Sequence, residues 1–210
     1  MRAVIFDLDG VICFTDKYHY QAWKALADRL GIYFDEQINN RLRGVSRMAS
    51  LEIILERAEK VYTEAEKEAF AAEKNALYVE LLQQMNPGDL SAEVRETLDA
   101  LRAGGYLLAI GSSSRNAKLI LSRLGLGDYF DAISDGTNIS RSKPDPEVFL
   151  KAAEMLGLDP AECLVVEDAK AGIQAARAGG FQSAGLGEAA EHPDCTYPLG
   201  CFADLKKVLL

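Results

Sequence analysis

Near its start the chain carries an unbroken apolar run, Ala3-Val4-Ile5-Phe6, that ends abruptly in Asp7-Leu8-Asp9-Gly10. Such a run reads as a buried strand whose last residues emerge at the carboxyl edge of a sheet, where open α/β folds place their ligands. In extended backbone, residues two apart point to the same side, so Asp7 and Asp9 face one site while Leu8 turns to the core. Two carboxylates that close repel unless a cation or a shared proton compensates. Taken alone, Asp-x-Asp-Gly fits a strand ending in solvated aspartates equally well, so the rest of the chain must decide.

Residues 16–84 contain helical patterns and no strand candidate. Tyr18, Ala22, Ala25, Leu26 and Leu30 form an apolar stripe that Gly31 stops, and further helices are expected over 37–41, 47–58 and 63–85. Thr63 and Glu66 make a capping box at the head of the last one. Four helices with short connections suggest a small bundle, and Asn86-Pro87-Gly88-Asp89 breaks the pattern as a linker should. Beyond it helices over 91–103, 115–124, 146–156 and 169–178 alternate with strands over 106–110, 132–133, 164–166 and 182–186, before a short helix from 202. Alternation of this kind predicts an α/β fold with a Rossmann-like parallel sheet covered on both faces. Because the first strand precedes the bundle, the expected division is a core of residues 1–15 and 88–210 with residues 16–87 inserted. The crossings near 13–16 and 85–89 would act as a pair of hinges.

Composition narrows the partners. A net charge of −9 argues against nucleic acid or an anionic membrane surface, both of which need clustered Lys and Arg. No apolar run reaches the roughly 18 residues of a membrane span, and no signal pattern precedes the first strand. Cys13, Cys163, Cys195 and Cys201 have no Cys-x-x-Cys spacing and read as reduced thiols of a cytoplasmic protein. No interface patch is evident, and a monomer is expected.

Four strand ends or adjoining loops then present chemistry in order: Asp7 with Asp9, Ser112, Lys143, and Glu167 with Asp168. Four carboxylates at one sheet edge call for a hard divalent ion, and an all-oxygen ligand set beside a phosphate favours Mg²⁺ over zinc. Lys143 supplies further positive charge, while the Ser112 hydroxyl and the amides that follow suit phosphate oxygens. Each feature alone has an ordinary structural explanation, a helix-capping serine or a surface lysine; their ordered recurrence does not.

Asp7-Leu8-Asp9-Gly10-Val11, the strand end at Ser112, Lys143-Pro144 and Glu167-Asp168 resemble the four signature motifs of the haloacid dehalogenase superfamily, and the inserted helices resemble its α-helical cap. Within it the chain is most similar to the β-phosphoglucomutase family. That likeness rests on Tyr18-His19, Ala22-Trp23-Lys24-Ala25-Leu26-Ala27, Gly44-Val45-Ser46-Arg47, Lys74-Asn75 and Ser112-Ser113-Ser114-Arg115-Asn116. The resemblance implies that Asp7 is a nucleophile forming an aspartyl-phosphate, and that Asp9 is the general acid and base. It implies Mg²⁺ held by Asp7, the Asp9 carbonyl and Asp168, with Glu167 a direct or water-mediated ligand, and Ser112 and Lys143 on the transferring phosphoryl group.

A mutase also needs a second phosphate site. By resemblance this is Arg47 with Ser114, Arg115 and Asn116, and His19, Gly44, Val45, Ser50, Lys74 and Ser113 complete the substrate-binding set. The implied reaction interconverts β-glucose 1-phosphate and glucose 6-phosphate, with β-glucose 1,6-bisphosphate as activator and intermediate and cap closure excluding water. The competing reading is a sugar-phosphate phosphatase of the same fold.

Overall fold

The computed structural model describes residues 1–42 and 45–210. They divide into two compact units, Met1–Phe14 with Asn86–Leu210, and Thr15–Met85.

The smaller unit is helical, with α1 over Asp16–Leu30, α2 over Glu36–Asn40, α3 over Arg47–Leu55 and α4 over Glu64–Leu82. Local chemistry sets the ends. Gly31 stops α1 in the left-handed conformation at φ 71°, which costs a residue without Cβ little. Asp35 accepts from the Ile38 N–H (2.9 Å) at the head of α2, and Ser46 from the Ala49 N–H (3.2 Å) at the head of α3. At α4 the expected capping box is complete: Thr63 Oγ1 accepts from the Glu66 N–H (3.3 Å), and Glu66 Oε2 from the Thr63 N–H (2.8 Å). The buried stripe of α1 differs from the expected one. Ala25 is exposed, and Trp23 and Ala27 are buried beside Tyr18, Ala22 and Leu26. The i, i+4 row 18–22–26 is extended on the side where Trp23 and Ala27 join a core with Ile32, Phe34, Leu51 and Ile54.

In the larger unit β1, Ala3–Phe6, lies in a sheet with β2 (Leu107–Gly111), β3 (Ala132–Ser134), β4 (Cys163–Glu167), β5 (Gln182–Gly185) and β6 (Tyr197–Pro198), in the order β3-β2-β1-β4-β5-β6 with parallel pairing. Helices α5 (Ala92–Ala103), α6 (Ala117–Arg123), α7 (Glu147–Leu156), α8 (Lys170–Ala178) and α9 (Leu205–Leu209) alternate with these strands or follow them. Period-two alternation sorts the strand side chains. Ala3, Ile5, Ala109, Cys163 and Val165 share one core with Val148, Phe149 and Ala152 of α7 and Ala175 and Ala176 of α8. Phe6 points the other way, with ring centroids 6.3 Å from Phe130 and 5.8 Å from Phe202. Every residue of β1 and β4 is therefore buried, as a parallel sheet covered on both faces requires. β6 was not expected; two residues at the sheet edge, one of them proline, are too few to show a period.

Among the described residues no helix is long and apolar enough to cross a membrane. The four cysteines are free thiols.

Candidate active site

The register Phe6↔Val166 places the end of β1 beside the end of β4, and the Asp7 N–H still donates to the Val166 carbonyl (2.9 Å). Asp7 therefore leaves the sheet next to Glu167, while Leu8 is fully buried. The chain then turns at Gly10, whose φ of +88° suits glycine, and whose N–H donates to the Cys13 carbonyl (2.7 Å). A Cβ at Gly10 would stand 2.0 Å from Asp168 Oδ2, so this turn passes directly over the Asp168 carboxylate.

Lys143, far along the chain and almost wholly buried, donates through Nζ to Asp7 Oδ1 and to Glu167 Oε1. Its ammonium also lies 4.7 Å from the centre of the Phe149 ring. Glu167 Oε2 accepts from the N–H groups of Asp168 and Ala169, each at 3.1 Å. Carboxylate oxygens of Asp7, Glu167 and Asp168 all lie within 4.8 Å of one another. Burial pushes Asp7 well above the usual carboxylate range; Lys143 opposes this, and Glu167 and Asp168 add to it. Asp168 is pushed up to about 7, by burial first and then by Glu167, with Lys143 opposing and Asp9 contributing. Burial opposes the charge on Lys143, but Asp7 and Glu167 outweigh it and hold the ammonium more firmly protonated than an ordinary lysine.

Three carboxylates thus face one ammonium, and burial first, then the neighbouring acids, raises Asp7 and Asp168. A hard cation taking oxygen ligands fits this cluster, because it would supply the charge that protons otherwise provide.

At the end of β2 the chain makes successive serine turns. The Ser114 N–H donates to Ser112 Oγ (3.2 Å) and the Asn116 N–H to Ser114 Oγ (3.2 Å). Backbone bonds from Ser112 to the Ser134 carbonyl (3.1 Å) and from Gly136 to the Ser114 carbonyl (3.1 Å) tie this loop to the end of β3. Ser113 Oγ and Asp135 Oδ2 are buried there without a hydrogen-bond partner among the described residues, while Arg115 is exposed.

In the helical unit Lys74 is 3% exposed, with Nζ 2.9 Å from His19 Nδ1 and 4.7 and 4.4 Å from the ring centres of Trp23 and Tyr78. An ammonium in that position donates to Nδ1 and leaves the ring proton of His19 on Nε2. His19 stacks on Tyr78 at 4.0 Å, and the Tyr78 hydroxyl lies 2.9 Å from Thr15 Oγ1. Tyr78 and Thr15 were missed by the sequence reading. Their signal was present: Thr15, His19 and Trp23 recur every four residues on α1 and its cap, as Lys74 and Tyr78 do on α4. Trp23 is buried and packs beneath the lysine. Ser50 is buried on α3, and Val45 and Arg47 are half-buried at its head. Gly44 lies outside the described residues.

A parallel α/β core with acids and a buried lysine at its carboxyl edge defines an enzyme that works beyond its strand ends. A sequence profile of haloacid dehalogenase-like hydrolases matches residues 1–180, and the chain belongs to that family. It is 46% identical over 190 residues to the β-phosphoglucomutase of Bacillus subtilis strain 168, covering 90% of this chain and 84% of that one. The crystal structure of β-phosphoglucomutase from Clostridium difficile superposes with a TM-score of 0.91 at 37% identity, covering 98% of this chain and 93% of that one. A phosphorylated-carbohydrates phosphatase of Thermotoga maritima is 36% identical over 185 residues, 87% of this chain and 83% of that one.

Proposed function

We propose that the chain is a Mg²⁺-dependent β-phosphoglucomutase, interconverting β-glucose 1-phosphate and glucose 6-phosphate through β-glucose 1,6-bisphosphate, and acting as a cytoplasmic monomer. The chemistry is carried by one observation, the meeting of Asp7, Lys143, Glu167 and Asp168 at the sheet edge. Likeness to two β-phosphoglucomutases over most of the chain favours the mutase over a phosphatase.

In this reading Asp7 attacks the phosphoryl group of the bisphosphate primer, taking the group as an aspartyl-phosphate and releasing a sugar monophosphate. Lys143 keeps the Asp7 carboxylate oriented and offsets charge on the transferring oxygens, and the Ser112 hydroxyl donates to one of them. Asp9 protonates the departing sugar oxygen and, in the return direction, takes the proton from the attacking sugar hydroxyl. Asp7, the Asp9 carbonyl, Glu167 and Asp168 would hold Mg²⁺, which when bound neutralises charge on carboxylates and phosphate. To the second phosphate we assign Arg47, Ser114, Arg115 and Asn116; the arginine fork suits two phosphate oxygens. His19, Lys74, Ser50, Val45, Gly44 and Ser113 are assigned to the sugar and its phosphates. The buried Ser113 hydroxyl, which has no hydrogen-bond partner among the described residues, supports its assignment.

Purified protein incubated with β-glucose 1-phosphate, Mg²⁺ and a trace of the bisphosphate should form glucose 6-phosphate and acquire a hydroxylamine-labile phosphate at Asp7. Release of inorganic phosphate without isomerisation would make the chain a phosphatase, and the proposal would fail.

A further inference from the structure

Gly172 sits in the first turn of α8 and is not among the glycines with positive φ, so its backbone is open to any residue. Alanine is the better helix former at such a position. Nothing local therefore explains glycine, but the side chain of Glu167 does. A Cβ on Gly172 would lie 2.0 Å from both Cδ and Oε1 of Glu167 and 2.5 Å from its Cγ. Packed carbon atoms ordinarily stand about 3.5–4.0 Å apart. The Glu167 carboxylate therefore lies against the bare α-carbon.

Its other sides are occupied as well. Oε1 takes the Lys143 ammonium, Oε2 takes the amides of Asp168 and Ala169 at 3.1 Å, and the residue is 1% exposed. Its backbone is fixed by the register Glu167↔Gly185 and by the Leu186 N–H on its carbonyl (2.7 Å). The carboxylate has no room to retreat, so a methyl group at Gly172 must drive it toward Lys143 and the other acids.

We propose that Gly172 is a positioning residue: the space it leaves determines where the Glu167 carboxylate stands relative to Asp7, Asp168 and Lys143, and so how tightly the acidic edge holds its divalent cation. This rests on the reading of that edge as a Mg²⁺ site. The test is Mg²⁺ titration calorimetry and thermal melting of the whole chain and of G172A, E167D and G172A/E167D. G172A should bind Mg²⁺ about 10- to 100-fold more weakly, the size of effect that follows when groups orienting a metal ligand are altered. Shortening the acid should lower the melting temperature of the parent but raise that of G172A, because it withdraws the carboxyl from the methyl. A helix defect unrelated to Glu167 would not reverse that sign. Parent-like Mg²⁺ affinity in folded G172A, or a melting temperature lowered by E167D in both backgrounds, overturns the proposal. Should G172A alone fail to fold, recovery of folding in the double variant supports the proposal and failure to recover overturns it. If the parent itself binds no Mg²⁺, the reading of the acidic edge fails, and the sign reversal still judges the Gly172–Glu167 contact.

Discussion

Without Mg²⁺ the fold should become more stable as the solution is acidified from pH 8 to pH 5, against the usual direction of acid denaturation. Asp168 is held at about 7 in the folded chain, against 3.8 for an ordinary aspartate. The folded chain therefore keeps a proton there that the unfolded chain has already lost. The stability this proton confers is complete below the unfolded value and disappears as pH rises through 7. At about 1.4 kcal/mol per pKa unit, a rise of about three units corresponds to roughly 4 kcal/mol, more than half of it regained by pH 5. Asp7 is raised in the same direction and adds to the slope. Carboxylates held low by hydrogen bonds, such as Glu147 at about 2, lose their contribution only as pH falls below the unfolded range, outside this window. For a chain of 210 residues the change is worth about 5–10 °C in melting temperature. Scanning calorimetry in EDTA from pH 5 to pH 8 measures it, and a parallel series in saturating Mg²⁺ should be flat or reversed, since the cation binds only the deprotonated acids. A metal-free melting temperature that is constant, or that falls on going from pH 8 to pH 5, would refute the electrostatic account of the acidic edge.

Replacing Lys143 with Met leaves Asp7 and Glu167 buried without their shared cation. Urea unfolding of the metal-free protein should show a loss of about 3–5 kcal/mol, as for other broken buried pairs, and phosphoryl transfer should vanish; a loss under 1 kcal/mol would contradict the geometry. Thr63→Ala removes the acceptor for the Glu66 amide at the head of α4 and should cost about 1 kcal/mol. Amide exchange should quicken in the first turn of α4 and stay unchanged in the sheet.

The larger unit was the more legible of the two because its strands are buried on both faces. Ala3–Phe6 and Cys163–Glu167 read as apolar runs ending in acids, and those acids do stand side by side. The helical unit was less legible in detail. Ala25 fitted the stripe of α1 by period alone, yet the side of the helix that carries Trp23 is the buried one. Periodicity finds an apolar face, but the neighbouring helices choose which edge of it is covered.

Residue types and their order along the chain were enough to suggest the alternating α/β plan, the caps at Thr63 and Gly31, and the set Asp7, Ser112, Lys143, Glu167 and Asp168 at strand ends or in adjoining loops. Each of these depends on contacts within a few residues or on the direction in which a strand leaves its sheet. Only the folded chain decided that Lys143 reaches Asp7 and Glu167 together, that Lys74 lies between His19, Trp23 and Tyr78, and that Gly172 is bare because Glu167 occupies its side-chain space. Those facts involve residues far apart in sequence or on different elements, and such distances are set by packing, for which a single sequence carries no local signal.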